Sequence, residues 1–129
     1  MDPRLTAVAE ALGRYFDGLH HSDAALLSGV FHPRAIYASA SASAGSLTHM
    51  TMDAYLPMVA ARPSPASRGE ARQDRILSIA FAGPVTALAT VACAIGEKRF
   101  TDLLSFVSLD GEWRIIAKVF HVDIAATEP

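Results

Sequence analysis

An aspartate and a histidine, Asp102 and His121, stand in two late runs of the chain that are otherwise rich in β-branched and aromatic residues. The runs flank Asp110-Gly111, a pair that suits the two positive-φ positions of a type I′ hairpin turn. A two-residue loop there fixes the register by counting. Phe106 then faces Ile115, Leu104 faces Ala117, Asp102 faces Val119 and Phe100 faces His121. Side chains alternate across a strand, so one face is expected to carry Phe100, Asp102, Leu104, Phe106, Trp113, Ile115, Ala117, Val119 and His121. Asp102 and His121 are diagonal on it, and diagonal neighbours lie roughly 7 Å apart at the backbone, within reach of a bridging contact. An imidazole oriented by a carboxylate can act as a general base, as can a desolvated aspartate alone. The same pair could instead be mutually satisfied and only fix the sheet, and the sequence leaves both readings open.

Other residues qualify as pocket lining by type and position. Tyr15, Tyr37 and Tyr55 fall at apolar-face positions, where a hydroxyl can enter a cavity or simply cap a core ring. His32 precedes Pro33 and His49 sits on a short strand; either can line a rim or stay solvated. With Phe100, Phe106 and Trp113 they complete the candidate ligand-binding set, around Asp102 and His121 as candidate catalytic residues. The five histidines are scattered, with no metal-ligand spacing, so no metal is expected. No phosphate loop, dinucleotide fingerprint or nucleophile elbow occurs, and no cofactor is expected.

Composition narrows the class. The 129 residues are 51% apolar and 19% charged, as in a globular chain, and 1–129 is expected to form one domain. A net charge of −2 with thinly spread Lys and Arg argues against nucleic acid and anionic membrane. Cys93 is single and lies in an apolar strand pattern, so it reads as a small buried hydrophobe. The start, Met-Asp-Pro-Arg, lacks a signal-peptide pattern, no stretch is long enough to span a bilayer, and a cytoplasmic location is expected.

The elements that must position these residues follow in order. Asp2 caps a helix with Pro3 at its first position, and Leu5, Val8, Leu12, Tyr15, Phe16 and Leu19 make its apolar stripe to about His20. Ser22 or Asp23 caps a short helix, Ala24 to Phe31, which Pro33 stops. An Ile36-Tyr37 strand, a Ser/Ala-rich loop and a strand from Leu47 to Met50 lead to a third helix capped by Thr51. Arg62 to Gly69 is a loop. Strands Arg75 to Phe81 and Val85 to Ile95 precede the Gly96-Glu97 turn. That turn sets Cys93, Val91, Ala89 and Ala87 on the Asp102 face. The opposite face, with Leu103, Val107, Ile116 and Phe120 among Arg99, Glu112, Arg114 and Lys118, is an apolar patch with a polar rim. It is expected to pair two copies as a homodimer through the outer sheet face.

This α+β order, with Tyr15-Phe16-Asp17-Gly18-Leu19, Val30-Phe31-His32-Pro33, Phe100-Thr101-Asp102-Leu103-Leu104 and Asp110 to His121, resembles the nuclear transport factor 2-like (SnoaL-like) superfamily. More narrowly the chain is similar to the putative lumazine-binding family. The resemblance implies a cystatin-like cone in which three N-terminal helices pack on a curved, mainly antiparallel sheet. Such families include isomerases, dehydratases and cyclases that act by proton transfer on small hydrophobic substrates, alongside plain binding modules. A small-molecule pocket in the cone is therefore one expectation, and an association module with a filled cone the other.

Overall fold

The computed structural model describes residues 2–124, so Met1 and residues 125–129 of the expected 1–129 span lie outside the described residues. Helix α1 runs Pro3–His21. Asp2 caps it by accepting from the Arg4 amide, and Ser22 closes it in the left-handed conformation. Of the stripe read from spacing, Val8, Leu12, Tyr15, Phe16 and Leu19 are buried, while Leu5, in the first turn, is exposed. Asp23 caps α2, Ala24–Val30, by accepting from the Leu26 amide. Gly18 makes room where the two helices meet: a Cβ there would lie 2.5 Å from Leu27 Cδ2, and the buried Leu27 side chain would have to shift. Helix α3 is Met52–Ala61 and carries Pro57.

Six strands form one sheet: β1 (Phe31–Ala40), β2 (Leu47–Thr51), β3 (Arg75–Phe81), β4 (Thr86–Ile95), β5 (Lys98–Leu109) and β6 (Glu112–Ile124), in the order β2-β1-β6-β5-β4-β3. All neighbours are antiparallel except β1 and β6. The helices lie on one face, and the shared core includes Leu12, Leu27, Phe31, Leu104, Phe106 and Ile115. The fold is thus the α+β cone expected from the sequence. Strand β1 is longer than the expected Ile36-Tyr37, beginning at Phe31. Its ladder to β6 breaks between Phe31 and Ile36, which is where Pro33, with no N–H to donate, can be accommodated.

The two hairpin turns form as counted. Asp110 and Gly111 take φ of 53° and 81°, and Phe106 pairs with Ile115. Cys93, Val91, Ala89 and Ala87 pair with Phe100, Asp102, Leu104 and Phe106. One feature corrects the register beyond that point. Ser105 pairs with Ala117, so Ile116 is an extra residue, a β-bulge. A one-residue slip turns every later side chain over. Asp102 therefore faces Phe120 instead of Val119, and Phe100 faces Val122 instead of His121. Lys118 and Phe120, expected outside, are buried inside, while Val119 and His121, expected inside, are exposed on the outer face.

Candidate functional site

Strand β5 brings Asp102 to the middle of the inner face, where it is fully buried. Helix α1 crosses above it and delivers Tyr15, whose hydroxyl donates to Asp102 Oδ2 at 2.5 Å. Cys93, opposite Phe100 on β4, places its thiol 3.8 Å from the same oxygen. The bulge in β6 turns Lys118 inward, with Nζ 4.0 Å from Oδ2. Asp102 Oδ1 has no hydrogen-bond partner. An aspartate, a tyrosine, a cysteine and a lysine from four different elements thus converge at the floor of the cone.

The lysine is further enclosed by rings. The centroids of Phe120, Tyr15, Tyr37, Tyr55 and Phe100 lie 5.2, 5.3, 5.4, 5.6 and 5.9 Å from Nζ. Aromatic faces carry partial negative charge and attract an ammonium. Burial is the largest single influence and pushes the Lys118 ammonium down, but Asp102, Tyr55, Cys93 and Tyr37 together outweigh it and hold Lys118 above the ordinary lysine range. Lys118 is therefore a cation, not a neutral amine nucleophile. Burial, then the Asp102 charge, pushes the Cys93 thiol up to about 12 and the Tyr15 phenol well above its ordinary value. Both keep their protons at neutral pH. Burial also raises Tyr37.

Above this floor opens a cavity of about 410 Å³, in the size range of small-molecule sites. Tyr37, Tyr55, Phe100 and Phe120 form its aromatic walls, with Tyr37 stacked on Tyr55 at 4.7 Å between centroids. Lys118 and Cys93 face it from below, and Ser39, Thr48, Met58, Arg62 and Lys98 ring its mouth. Tyr55 is 1% exposed, and its hydroxyl has no partner. Arg62 ends α3, and its Nε is buried without a partner.

The candidates named from sequence separate into those brought together and those not. Tyr37, Tyr55 and Phe100 line the cavity, and Tyr15 and Asp102 lie directly beneath it. Phe106 is fully buried in the core away from it, and Trp113 packs edge-on against Phe81. His49 is exposed on β2 opposite Ala38. His32 lies at a separate hollow that Arg114 also lines, its Nδ1 accepting from the Arg34 amide. His121 does not meet Asp102; it faces outward, and its ring contacts Asp123 at 2.9 Å. The bulge at Ile116 is the cause.

Spacing alone missed Lys118, Arg62 and Lys98. A lysine between Ala117 and Val119 reads as a solvated position unless the bulge is known. The one available signal was Phe120, a large aromatic that the uninterrupted alternation left outside. Among the described residues, no helix is long and apolar enough to cross a membrane.

Similar proteins share this architecture. A nuclear transport factor 2-like protein of unknown function from Shewanella baltica is 20% identical and superposes with a TM-score of 0.83, covering 95% of each chain. A second, from Silicibacter pomeroyi, is 22% identical with a TM-score of 0.77, over 93% of this chain and 96% of that one. A cystatin-like fold protein from Burkholderia xenovorans is 15% identical with a TM-score of 0.71, over 98% and 96%. At these identities the likeness establishes the fold alone. No curated protein matches the sequence. The family model described as "Putative lumazine-binding" matches residues 3–121, and the chain belongs to that family.

Proposed function

We propose that the chain is a small-molecule-binding domain whose cone holds a compact, partly aromatic ligand against Lys118. The carrying observation is the cavity of about 410 Å³, walled by Tyr37, Tyr55, Phe100 and Phe120 over a buried ammonium. Its aromatic walls suit a flat ring, and the family description, lumazine binding, names a ligand of that shape. The open volume weighs against a cone filled only by its own side chains.

The floor also suggests a chemistry. The Lys118 ammonium and the unpartnered Tyr55 hydroxyl can both donate to a carbonyl oxygen of the ligand. Donors fixed in a dry site stabilise the oxyanion that forms when a proton leaves the neighbouring carbon. That step is common to isomerisation, dehydration and cyclisation of small carbonyl compounds. Asp102, beneath Lys118 and outside the cavity lining, fixes the ammonium and would receive the ligand's proton only through a bridging water.

The test is a thermal-shift and calorimetric series with lumazine and small aromatic carbonyl compounds, on the natural chain and on Val122→Trp, which fills the mouth. Saturable binding that Val122→Trp abolishes supports the reading. Absence of binding at millimolar concentration for the whole series overturns it.

A second reading, association with another copy, is favoured by the outer sheet face. Leu103 and Val119 pair across it at 44% and 45% exposure, flanked by exposed Leu88 and Ile36. Exposed apolar residues clustered in this way mark interfaces. The two readings are compatible, since the cavity opens on the opposite face.

A further inference from the structure

Charge is distributed unevenly between this chain and its cavity. The whole chain carries −2, yet the residues lining the cavity include Arg62, Lys98 and Lys118 and no carboxylate. Asp102 lies 4.0 Å from Lys118 Nζ and offsets only that one cation. Neither Arg62 nor Lys98 is in an ion pair with any acid among the described residues, although five of the chain's other arginines and lysines are so paired. Arg62 Nε is also buried with no hydrogen-bond partner. Leaving a buried charged donor unmet is costly, and native structures seldom do so without a ligand or water to meet it. Tyr55, which also lines the cavity, is 1% exposed and has a buried hydroxyl with no partner. The residues that carry the unmet polar groups and the unbalanced cations therefore line one cavity.

We propose that the ligand of this cavity is a small aromatic carboxylate, its ring held between the aromatic walls and its carboxylate taken at the mouth by Arg62 and Lys98. This deepens the small-molecule reading above and rests on it. A guanidinium presents two parallel N–H donors that match the two oxygens of a carboxylate. Arg62 lies at the C-terminal end of α3, where the helix dipole favours a cation and keeps the guanidinium in place without an acid. Lys98 is the first residue of β5 and lines the same cavity as Arg62 and Phe100. A neutral ligand of the same shape would fill the aromatic space and leave both cations unmet.

A matched pair of probes tests this: 2-naphthoate and its neutral amide, 2-naphthamide, titrated by calorimetry into the full chain at low and at moderate salt. Naphthoate is expected to bind about tenfold or more tightly than the amide, as charge-assisted hydrogen bonds imply, and the preference is expected to shrink as salt rises. In Arg62→Gln and in Lys98→Gln the ratio of the two affinities should fall toward one. Equal binding of acid and amide to the natural chain overturns the inference while leaving the small-molecule reading intact. An acid preference that survives both substitutions also overturns it. Binding of neither probe, in a protein with an unchanged circular dichroism spectrum, overturns the inference and counts against the cavity reading as well.

Discussion

Tyr15 on α1 donates a 2.5 Å hydrogen bond to Asp102 on β5, a contact that ties the helical layer to the sheet across 87 residues of sequence. Both groups are fully buried, so neither can exchange this partner for water without opening the cone. Replacing Tyr15 by Phe keeps the ring and removes the donor. Hydrogen bonds to charged acceptors contribute roughly 1.5–3 kcal/mol, and Tyr15→Phe is expected to lose about that much in chemical denaturation. A loss under about 0.5 kcal/mol would mean that Asp102 is satisfied by Lys118 and Cys93 alone.

Lys118 and Asp102 form the other buried relationship, and their coupling is the clearest energetic test of the floor. Removing one partner of a buried ion pair strands the other charge, at a cost of about 3–5 kcal/mol, whereas removing both is often neutral. Lys118→Met is therefore expected to be strongly destabilising, and Lys118→Met with Asp102→Asn to recover most of the loss. A double-mutant cycle reads the coupling directly. Strictly additive effects would show that the 4.0 Å separation is not an energetic pair.

The sequence makes the hairpin legible but hides the bulge, and the difference has a physical origin. Asp110-Gly111 demands positive φ at both positions, which few sequences offer, and so Phe106 and Ile115 pair as counted. Ile115, Ile116 and Ala117 are all apolar, so nothing in their pattern marks which one is the extra residue. The consequence falls on the residues that follow: Lys118 and Phe120 go in, Val119 and His121 go out. A lysine in the interior also runs against ordinary partition, and only the convergence of Asp102 and five rings makes it tenable. The tyrosines were legible because each lies on an apolar stripe or strand face. Arg62 was not, because it belongs to no periodic element and is defined only by the end of α3.

Alkaline pH should weaken the folded state through the same cluster. The Cys93 thiol ionises near 9 in an unfolded chain, but burial and the Asp102 charge raise it to about 12 in the fold. Between these values the unfolded chain binds fewer protons than the folded one, so stability falls as pH rises. Below about 9 the contribution is fully present. Tyr15 and Lys118, both raised, act in the same direction at higher pH. The stability difference between the natural chain and Cys93→Ala should therefore be constant up to about pH 9 and shift against the natural chain above it. A flat difference up to pH 11 would show that the thiol is not held protonated. Slow alkylation of Cys93 by iodoacetamide at pH 8 is the companion observation, since only a thiolate reacts readily.

The bulge that turns Lys118 toward the cavity also makes the outer face more apolar than simple alternation would. It exchanges a lysine for Val119, next to Leu103 on β5, while Ala38 on β1 pairs with the other side of Val119. These residues sit in the central strands, far from the edges β2 and β3. A two-fold interface centred there would bring Val119 of each copy close to the axis, where a like charge meets itself. Val119→Glu is exposed enough to be tolerated in an isolated chain, yet in a dimer it sets two carboxylates against each other. Light scattering at tens of micromolar is expected to give a dimer for the natural chain and a monomer for Val119→Glu, with unchanged circular dichroism. The melting temperature of the natural chain should also rise with protein concentration, and that of the variant should not. A natural chain that scatters as a monomer across this range would rule out the pairing of copies through Leu103 and Val119.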